Sequence, residues 1–352
     1  MAPRLRPRNK NGEARAPGTP IIEPPNMSDV PKEESIATDR KPPVYIIDLS
    51  RPPSKRYTEV AQAFKDTARE LPPLFNELLD VMKPSWIPGF FLRFLAWMFL
   101  RRLFSREQTE ELRGMSKALE LPMYLLVAYN VLLDLLMGCT SGGALVNDNA
   151  SANSQMMHFR TLDWGMPALR KTTVQYNLVE GPEGKLIAST IGYVGFVGVL
   201  TGVKQGLSVS LNFRPYHDDA GWTRGNIRYY WHLLLVLLGY RPSIAARLRD
   251  FLIPATLPIK LEDQLREDSA ISLQLSEKPL YQPSDLPSFS QMPTTAAYLI
   301  FCTGEETIIL EKDLYTAKTI RSSAFITVTN HDRAYELSTN PQAEHTTHTQ
   351  SK

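Results

Sequence analysis

Residues 121–146 read Leu121-Pro122-Met123-Tyr124-Leu125-Leu126-Val127-Ala128-Tyr129-Asn130-Val131-Leu132-Leu133-Asp134-Leu135-Leu136-Met137-Gly138-Cys139-Thr140-Ser141-Gly142-Gly143-Ala144-Leu145-Val146, and the pattern changes in the middle. Up to Met137 the run is apolar, broken only by Asn130 and Asp134. Two polar side chains argue against a membrane span, so a soluble helix running toward the centre of the fold is expected. From Cys139 onward the period drops to that of strands: Gly143 to Val146, Gln155 to Arg160, Thr173 to Val179 and Lys185 to Thr190 alternate or are β-branched. Gly181-Pro182-Glu183-Gly184 reads as a hairpin turn between two of them. The Gly138-Cys139 junction therefore divides a helical half from a β half.

Upstream of the junction, Val44 to Leu49 reads as a strand closed by Pro52-Pro53. From Arg56 to Met82, Val60, Phe64, Ala68, Leu71, Phe75, Leu78 and Leu79 recur at mostly helical spacing, with Pro72-Pro73 expected to kink or split the helix. Trp86 to Phe104 is the most aromatic stretch, interrupted by Arg93 and closed by Arg101-Arg102 before it reaches the length of a span. It suits either a buried or subunit-contact helix, the commoner fate of an apolar stretch, or a helix lying in a membrane interface. Gln108 to Leu119 reads as helix. Downstream, Tyr193 to Thr201 and Leu207 to Phe213 continue the strand series, and helices are expected at Gly225 to Leu238 and Pro242 to Phe251. A loop-rich stretch over about 255–294 follows, then strands at Ala297 to Thr303, Glu306 to Leu310 and Phe325 to Thr329. Helices, strands, helices and strands in blocks imply an α+β layered fold, not alternating βαβ units.

The chain has 352 residues, 43% hydrophobic and 22% charged, which excludes a collagen, a coiled coil and a wholly disordered protein. A formal charge of +2 gives no argument for nucleic acid as a partner. Two cysteines, Cys139 and Cys302, cannot build a disulfide framework. No apolar run of signal-peptide length precedes Pro43, so the expected location is intracellular, cytoplasmic or peripheral to a membrane. The sequence divides into a disordered tail at 1–42, a helical segment at 43–138, a catalytic segment at 139–336 and a second tail at 337–352.

Three short motifs bear chemistry. Cys139 sits after Gly138 at the junction; Arg160-Thr161-Leu162-Asp163-Trp164-Gly165 lies on the second strand after it; Val328-Thr329-Asn330-His331-Asp332 closes the last strand. Singly each has an ordinary reading: a cysteine as a small buried hydrophobe, Arg160 and Asp163 as a solvated pair, Asn330 as a turn residue. His158 and His331 read as satisfied hydrogen-bonding histidines.

Their joint order resembles the acid ceramidase and N-acylethanolamine acid amidase family, a branch of the N-terminal-nucleophile hydrolases that includes the bile-salt and penicillin V acylases. The resemblance spans about 44–333. It also takes in the helix leading to Asn130, the Gly195-x-x-Gly198-x-x-Thr201-Gly202 region and the Ser210-x-Asn212-x-Arg214 strand.

The resemblance implies an αββα sandwich with an N-terminal helical segment. It implies self-cleavage between Gly138 and Cys139, after which the freed α-amino group, titrating near pH 8, activates its own thiol. Asp163 would hold that amino group, Arg160 would stabilise charge, and the Asn330 side chain would donate to the oxyanion. Asn212 and Arg214 would touch substrate. Arg160 and Asp163 are an odd number of residues apart, so facing one site together requires a bend or bulge near Leu162.

The implied substrate is a fatty-acyl amine, a ceramide or an N-acylethanolamine, hydrolysed without metal or other cofactor. The two cleavage fragments would stay associated. The alternatives are an acyltransferase or acylase of the same superfamily and a catalytically impaired lipid-binding relative. Two departures stand out: Phe213 replaces a glutamate common in that strand, and Tyr335 to Ser351 lacks the arginine expected after the asparagine.

Overall fold

The computed structural model describes residues 41–73, 75, 88–132, 138–147, 154–163, 167–215, 217, 224–253 and 283–332. The expected tails at 1–42 and 337–352 fall outside these residues, apart from 41 and 42. Element order is β1 (Val44–Asp48), α1 (Pro53–Arg56), α2 (Thr58–Ala63), α3 (Lys65–Ala68), α4 (Gly89–Phe99), α5 (Arg106–Leu119) and α6 (Met123–Leu132). Then come β2 (Gly138–Asn147), β3 (Ser154–Asp163), α7 (Pro167–Arg170), β4 (Thr173–Val179), β5 (Leu186–Tyr193), β6 (Thr201–Lys204) and β7 (Leu207–Phe213). The chain continues with α8 (Arg224–Leu237), α9 (Ile244–Arg249), α10 (Leu286–Ser290), β8 (Ala297–Cys302), β9 (Thr307–Lys312), β10 (Ala317–Ser322) and β11 (Phe325–Val328).

The strands form an eight-stranded sheet in the order β1-β4-β5-β6-β7-β8-β9-β10 and a three-stranded sheet in the order β11-β2-β3. Only the β1–β4 pairing is parallel among these strands. The large sheet is the middle layer, and alternation along its strands sends successive residues to different cores. On β8, Tyr298 and Ile300 pack with Ile326 and Val328 of the small sheet, whereas Leu299 and Phe301 join the cluster that holds the helices. At Gly143 the sheets approach so closely that a β-carbon would lie 1.9 Å from Thr307 Oγ1. The result is the α+β sandwich the block order of the sequence implies.

On the helical side, α6 is buried from Leu125 through Leu132. Its Asn130 explains itself: Nδ2 donates to Leu126 O and Gly195 O, and Oδ1 accepts from Val197 N, each at 2.8 Å. Asp134 lies outside the described residues. Beneath the same loop sits a buried ionic cluster. Arg56 and Arg249 both donate to Glu111, Arg56 also pairs with Glu107, and Arg249 Nη1 reaches Val197 O at 2.8 Å. This cluster ties α1 and α5, before the Gly138-Cys139 junction, to α9, after it.

Five expectations are corrected. The helix foreseen over 56–82 is broken into α1, α2 and α3, because Tyr57 and Phe64 adopt non-helical backbone angles (φ −104°) between them. The segment 194–200 is not strand: Gly195 takes a positive φ of 93°, and its neighbours' polar groups are met by α6 and α9 instead of a ladder. β10 was missed because its sequence, Ala-Lys-Thr-Ile-Arg-Ser, is that of a solvated edge strand, and α10 sits in the stretch foreseen as loop. Finally, α4 is not buried within the described residues of this chain: Phe90, Phe91, Phe94, Trp97 and Phe99 are 46–68% exposed, and Ala96 is its buried position, which overturns the core reading but not the subunit-contact one.

Candidate active site

The small sheet delivers the first motif. Cys139 lies on β2 opposite Leu162, and Ser141 lies opposite Arg160, so alternation turns Cys139, Ser141 and Arg160 toward the large sheet together. Cys139 is 2% exposed. The Arg160 guanidinium is fixed by the large sheet, Nη1 donating to Thr201 Oγ1 at 2.6 Å and Nη2 to Leu211 O at 2.9 Å. So held, Nη2 also lies 3.4 Å from Cys139 Sγ, a donor placed to favour the thiolate.

Asn330 arrives from the other side. β11 pairs with β2 as far as Val328 opposite Ser141, and two residues on Asn330 stands across from Cys139. Its Oδ1 accepts the Cys139 backbone N–H at 2.7 Å, and its Nδ2 donates to Phe213 O at 2.6 Å. These partners fix the amide orientation, since the N–H requires oxygen and the carbonyl requires nitrogen. The side chain expected to serve an oxyanion thus grips the backbone nitrogen of the cysteine and the end of β7.

Asp163 closes β3 opposite Gly138. Its side chain lies outside what is described. The bulge required near Leu162 is not there: the β2–β3 ladder runs from Asn147–Ser154 to Gly138–Asp163 without a register shift. The physical reason is that every residue of β3 finds a partner on β2, leaving no extra residue to accommodate.

Asn212 and Arg214, expected to touch substrate, have other work. Asn212 is fully buried, accepts from Ser141 Oγ at 2.6 Å and donates to Val328 O at 3.1 Å. Arg214, 5% exposed, makes a bidentate pair with Asp332, Nε to Oδ1 at 2.8 Å and Nη2 to Oδ2 at 2.7 Å. His158 follows its bland reading: its ring nitrogens contact Ser208 Oγ and Ser210 Oγ. Burial, with the Arg160 charge, pushes its pKa down to about 4, so it is neutral at physiological pH.

A cavity of about 260 Å³ is lined by Arg160, whose guanidinium reaches Cys139, together with Leu162, Leu169, Arg170, Ile191 and Tyr193; Cys139 itself is not among its described lining residues. Neither Asn212 nor Arg214 is among its described lining residues. Burial pushes the Tyr193 phenol up to about 12, so it enters the site as a hydroxyl donor. Sequence reading missed Tyr193 and Thr201 as site residues. The glycine-rich region around them is visible in the sequence, but nothing in it shows that β5 and β6 pass under Arg160. Among the described residues no group of His, Cys, Asp or Glu side chains is arranged to hold a metal ion.

A family model described as the beta subunit of N-acylethanolamine-hydrolyzing acid amidase matches residues 40–103. The chain is 34% identical over 191 residues to the N-acylethanolamine-hydrolyzing acid amidase of Caenorhabditis elegans, covering 51% of this chain and 50% of that protein. It is 26% identical over 240 residues to a probable acid ceramidase of the same nematode, covering 60% of this chain and 56% of that one. These comparisons make the chain similar to members of the acid ceramidase and N-acylethanolamine acid amidase family.

The solved structure of a C. elegans ortholog of the amidase superposes with a TM-score of 0.39 at 22% identity, over 57% of this chain and 73% of that one, a likeness that by itself says nothing about the fold. The chain spans about half the length of the family's curated members it matches. The family match at 40–103 covers β1 and α1–α4, so the resemblance begins well before the cysteine.

Proposed function

We propose that this chain is a self-processed cysteine amidase that hydrolyses the amide bond of a fatty-acyl amine, a ceramide or an N-acylethanolamine. One observation carries the reading: Arg160 and Asn330 converge on two atoms of one residue, the Sγ and the backbone nitrogen of Cys139. Similarity to proteins named as an N-acylethanolamine-hydrolyzing acid amidase and an acid ceramidase supports it.

The chemistry follows from those contacts. In the unbroken chain, the Cys139 thiolate beside Arg160 attacks the Gly138 carbonyl while Asn330 holds the nitrogen that becomes the leaving amine. The peptide shifts to a thioester on sulfur, and water releases Gly138 as a carboxylate and Cys139 as a free N-terminus. In turnover, the α-amino group takes the thiol proton and the thiolate adds to the substrate carbonyl. The amine leaves with that proton, and water hydrolyses the S-acyl intermediate. The two fragments share β1 in the large sheet and the buried Arg56–Glu111–Arg249 cluster, which favours their staying associated.

The substrate side of the proposal includes a lipid surface as partner. The exposed aromatics of α4 flank Arg93, Arg101 and Arg102, with the Arg101 guanidinium 5.2 Å from the Trp97 ring centroid. Aromatic bulk beside arginines suits an interface with anionic headgroups. Among the described residues no helix is long and apolar enough to cross a membrane.

Intact-mass analysis of the purified protein tests the core of the reading. Wild type should give one fragment ending at Gly138 and one beginning at Cys139, and Cys139→Ala should give one uncut chain without amidase activity on a fluorogenic N-acyl amine. A Cys139→Ala protein cut to completion at the same bond overturns the mechanism.

A further inference from the structure

Three consecutive residues at the end of β7 hold three alternate residues at and beyond the end of β11. Asn212 Nδ2 donates to Val328 O, Phe213 O accepts from Asn330 Nδ2, and the Arg214 guanidinium brackets the Asp332 carboxylate. Tyr298, the β-ladder partner of Asn212 on β8, adds its hydroxyl to Asp332 Oδ1 at 2.6 Å. The pairing of β11 with β2 ends at Val328, so beyond that point no ladder fixes the backbone that presents Asn330. This set of side-chain bonds holds it, and the last of them is ionic.

We propose that Asp332 is a positioning residue of the cysteine site: anchored by Arg214 and Tyr298, it sets the reach of Asn330 onto the backbone nitrogen of Cys139. The inference rests on the reading of Cys139 as the nucleophile. Three donors converge on one carboxylate with a 27% exposed side chain, a costly arrangement on a segment end unless that end must be held. The bond from Arg214 keeps the Asp332 carboxyl below its ordinary pKa, so the clamp stays charged at neutral pH. Burial and then the Asp332 bond raise the Tyr298 phenol well above its ordinary value, so it remains a donor. Arg214, which the sequence pointed at substrate, is thereby assigned to the scaffold behind Asn330.

The test is a double-mutant cycle on the full-length protein. Asp332→Asn and Tyr298→Phe are each made in wild type and in Asn330→Ala. Three quantities are read: the rate of Gly138–Cys139 cleavage by intact mass, the alkylation rate of Cys139 by iodoacetamide located by peptide mapping, and kcat and KM on a fluorogenic N-acyl amine. Asp332→Asn should slow cleavage and lower kcat by roughly 10–100-fold, the scale of a displaced reacting group, with KM unchanged. Tyr298→Phe should change both in the same direction by less. In the Asn330→Ala background neither substitution should matter further.

A loss undiminished in that background, or a rise in KM with kcat intact, overturns the proposal. Should Asp332→Asn fail to fold, an unchanged Tyr298→Phe protein overturns it equally. Cleavage and alkylation do not need a lipid amide. A protein inactive on every acyl amine therefore sinks the functional reading while the cycle still decides the role of Asp332.

Discussion

Asn330 Oδ1 lies 2.7 Å from the backbone nitrogen of Cys139, across 191 residues of sequence. Asn330 occupies the position that a β-ladder partner of Cys139 would take if β11 continued two residues farther. A side-chain amide has replaced a backbone carbonyl there. The substitution suits the cleavage proposed at Gly138–Cys139, because the acceptor that holds the amide N–H can go on holding the amine that would succeed it.

Replacing Asn330 with alanine should therefore slow processing and also lower amide hydrolysis by about 10²-fold in kcat, the scale of misplacing a reacting group once the acceptor that holds the Cys139 nitrogen is gone. Thermal unfolding should change little. An Asn330→Ala enzyme with wild-type kcat would remove the residue from the site.

Glu111 is fully buried between Arg56 and Arg249. Glu111→Gln leaves two buried guanidinium groups facing each other across a neutral amide, and loss of one partner from a buried ionic group costs about 3–5 kcal/mol. Urea unfolding should register that loss. Because the cluster joins α5 to α9 across the proposed cleavage point, the processed variant should also release its N-terminal fragment at lower urea than wild type. Equal midpoints would show the cluster to be energetically idle.

His158 and His232 are both pushed down to about 4, each by burial first and then by a neighbouring arginine, Arg160 and Arg241 respectively. An unfolded histidine binds its proton near pH 6.5. Between that value and 4 the unfolded chain holds two protons that the fold refuses, so stability is present above pH 6.5 and declines as pH falls toward 4. Urea midpoints at pH 7.5 and 4.5 measure the decline. It should be smaller in His158→Gln, and an identical slope in wild type and variant would exclude the residue.

The arginines around α4 should make the proposed lipid binding salt-sensitive. Wild type should sediment with anionic liposomes at low salt and be released as salt rises. Phe94→Ser with Trp97→Ser should weaken that binding and the turnover of long-chain amides while sparing a short soluble substrate. Wild-type protein that ignores anionic liposomes would end the proposal, and equal loss on both substrates would assign the effect to folding.

Local pattern determined much of this protein. The apolar run ending at Met137, the glycine and cysteine after it, and the switch to two-residue alternation were enough to foresee α6, β2, β3, β4 and β7 and to divide the chain at Gly138. These signals are legible because each depends on neighbours a few residues apart. The motif order also brought Cys139, Arg160 and Asn330 forward as one site, and the structure brings those three together.

Tertiary structure decided what the side chains do there. Asn212 and Arg214 carry the polar groups a substrate contact would need, and the sequence could not show that Ser141, Val328 and Asp332 come from remote strands to engage them. The regular ladder through Leu162 overruled the bulge for the same reason: register is set by the partner strand, which the local sequence of β3 does not contain. The fate of α4 was likewise invisible, because an aromatic helix reads alike whether protein covers it or not, and only the positions of the other helices left its face uncovered.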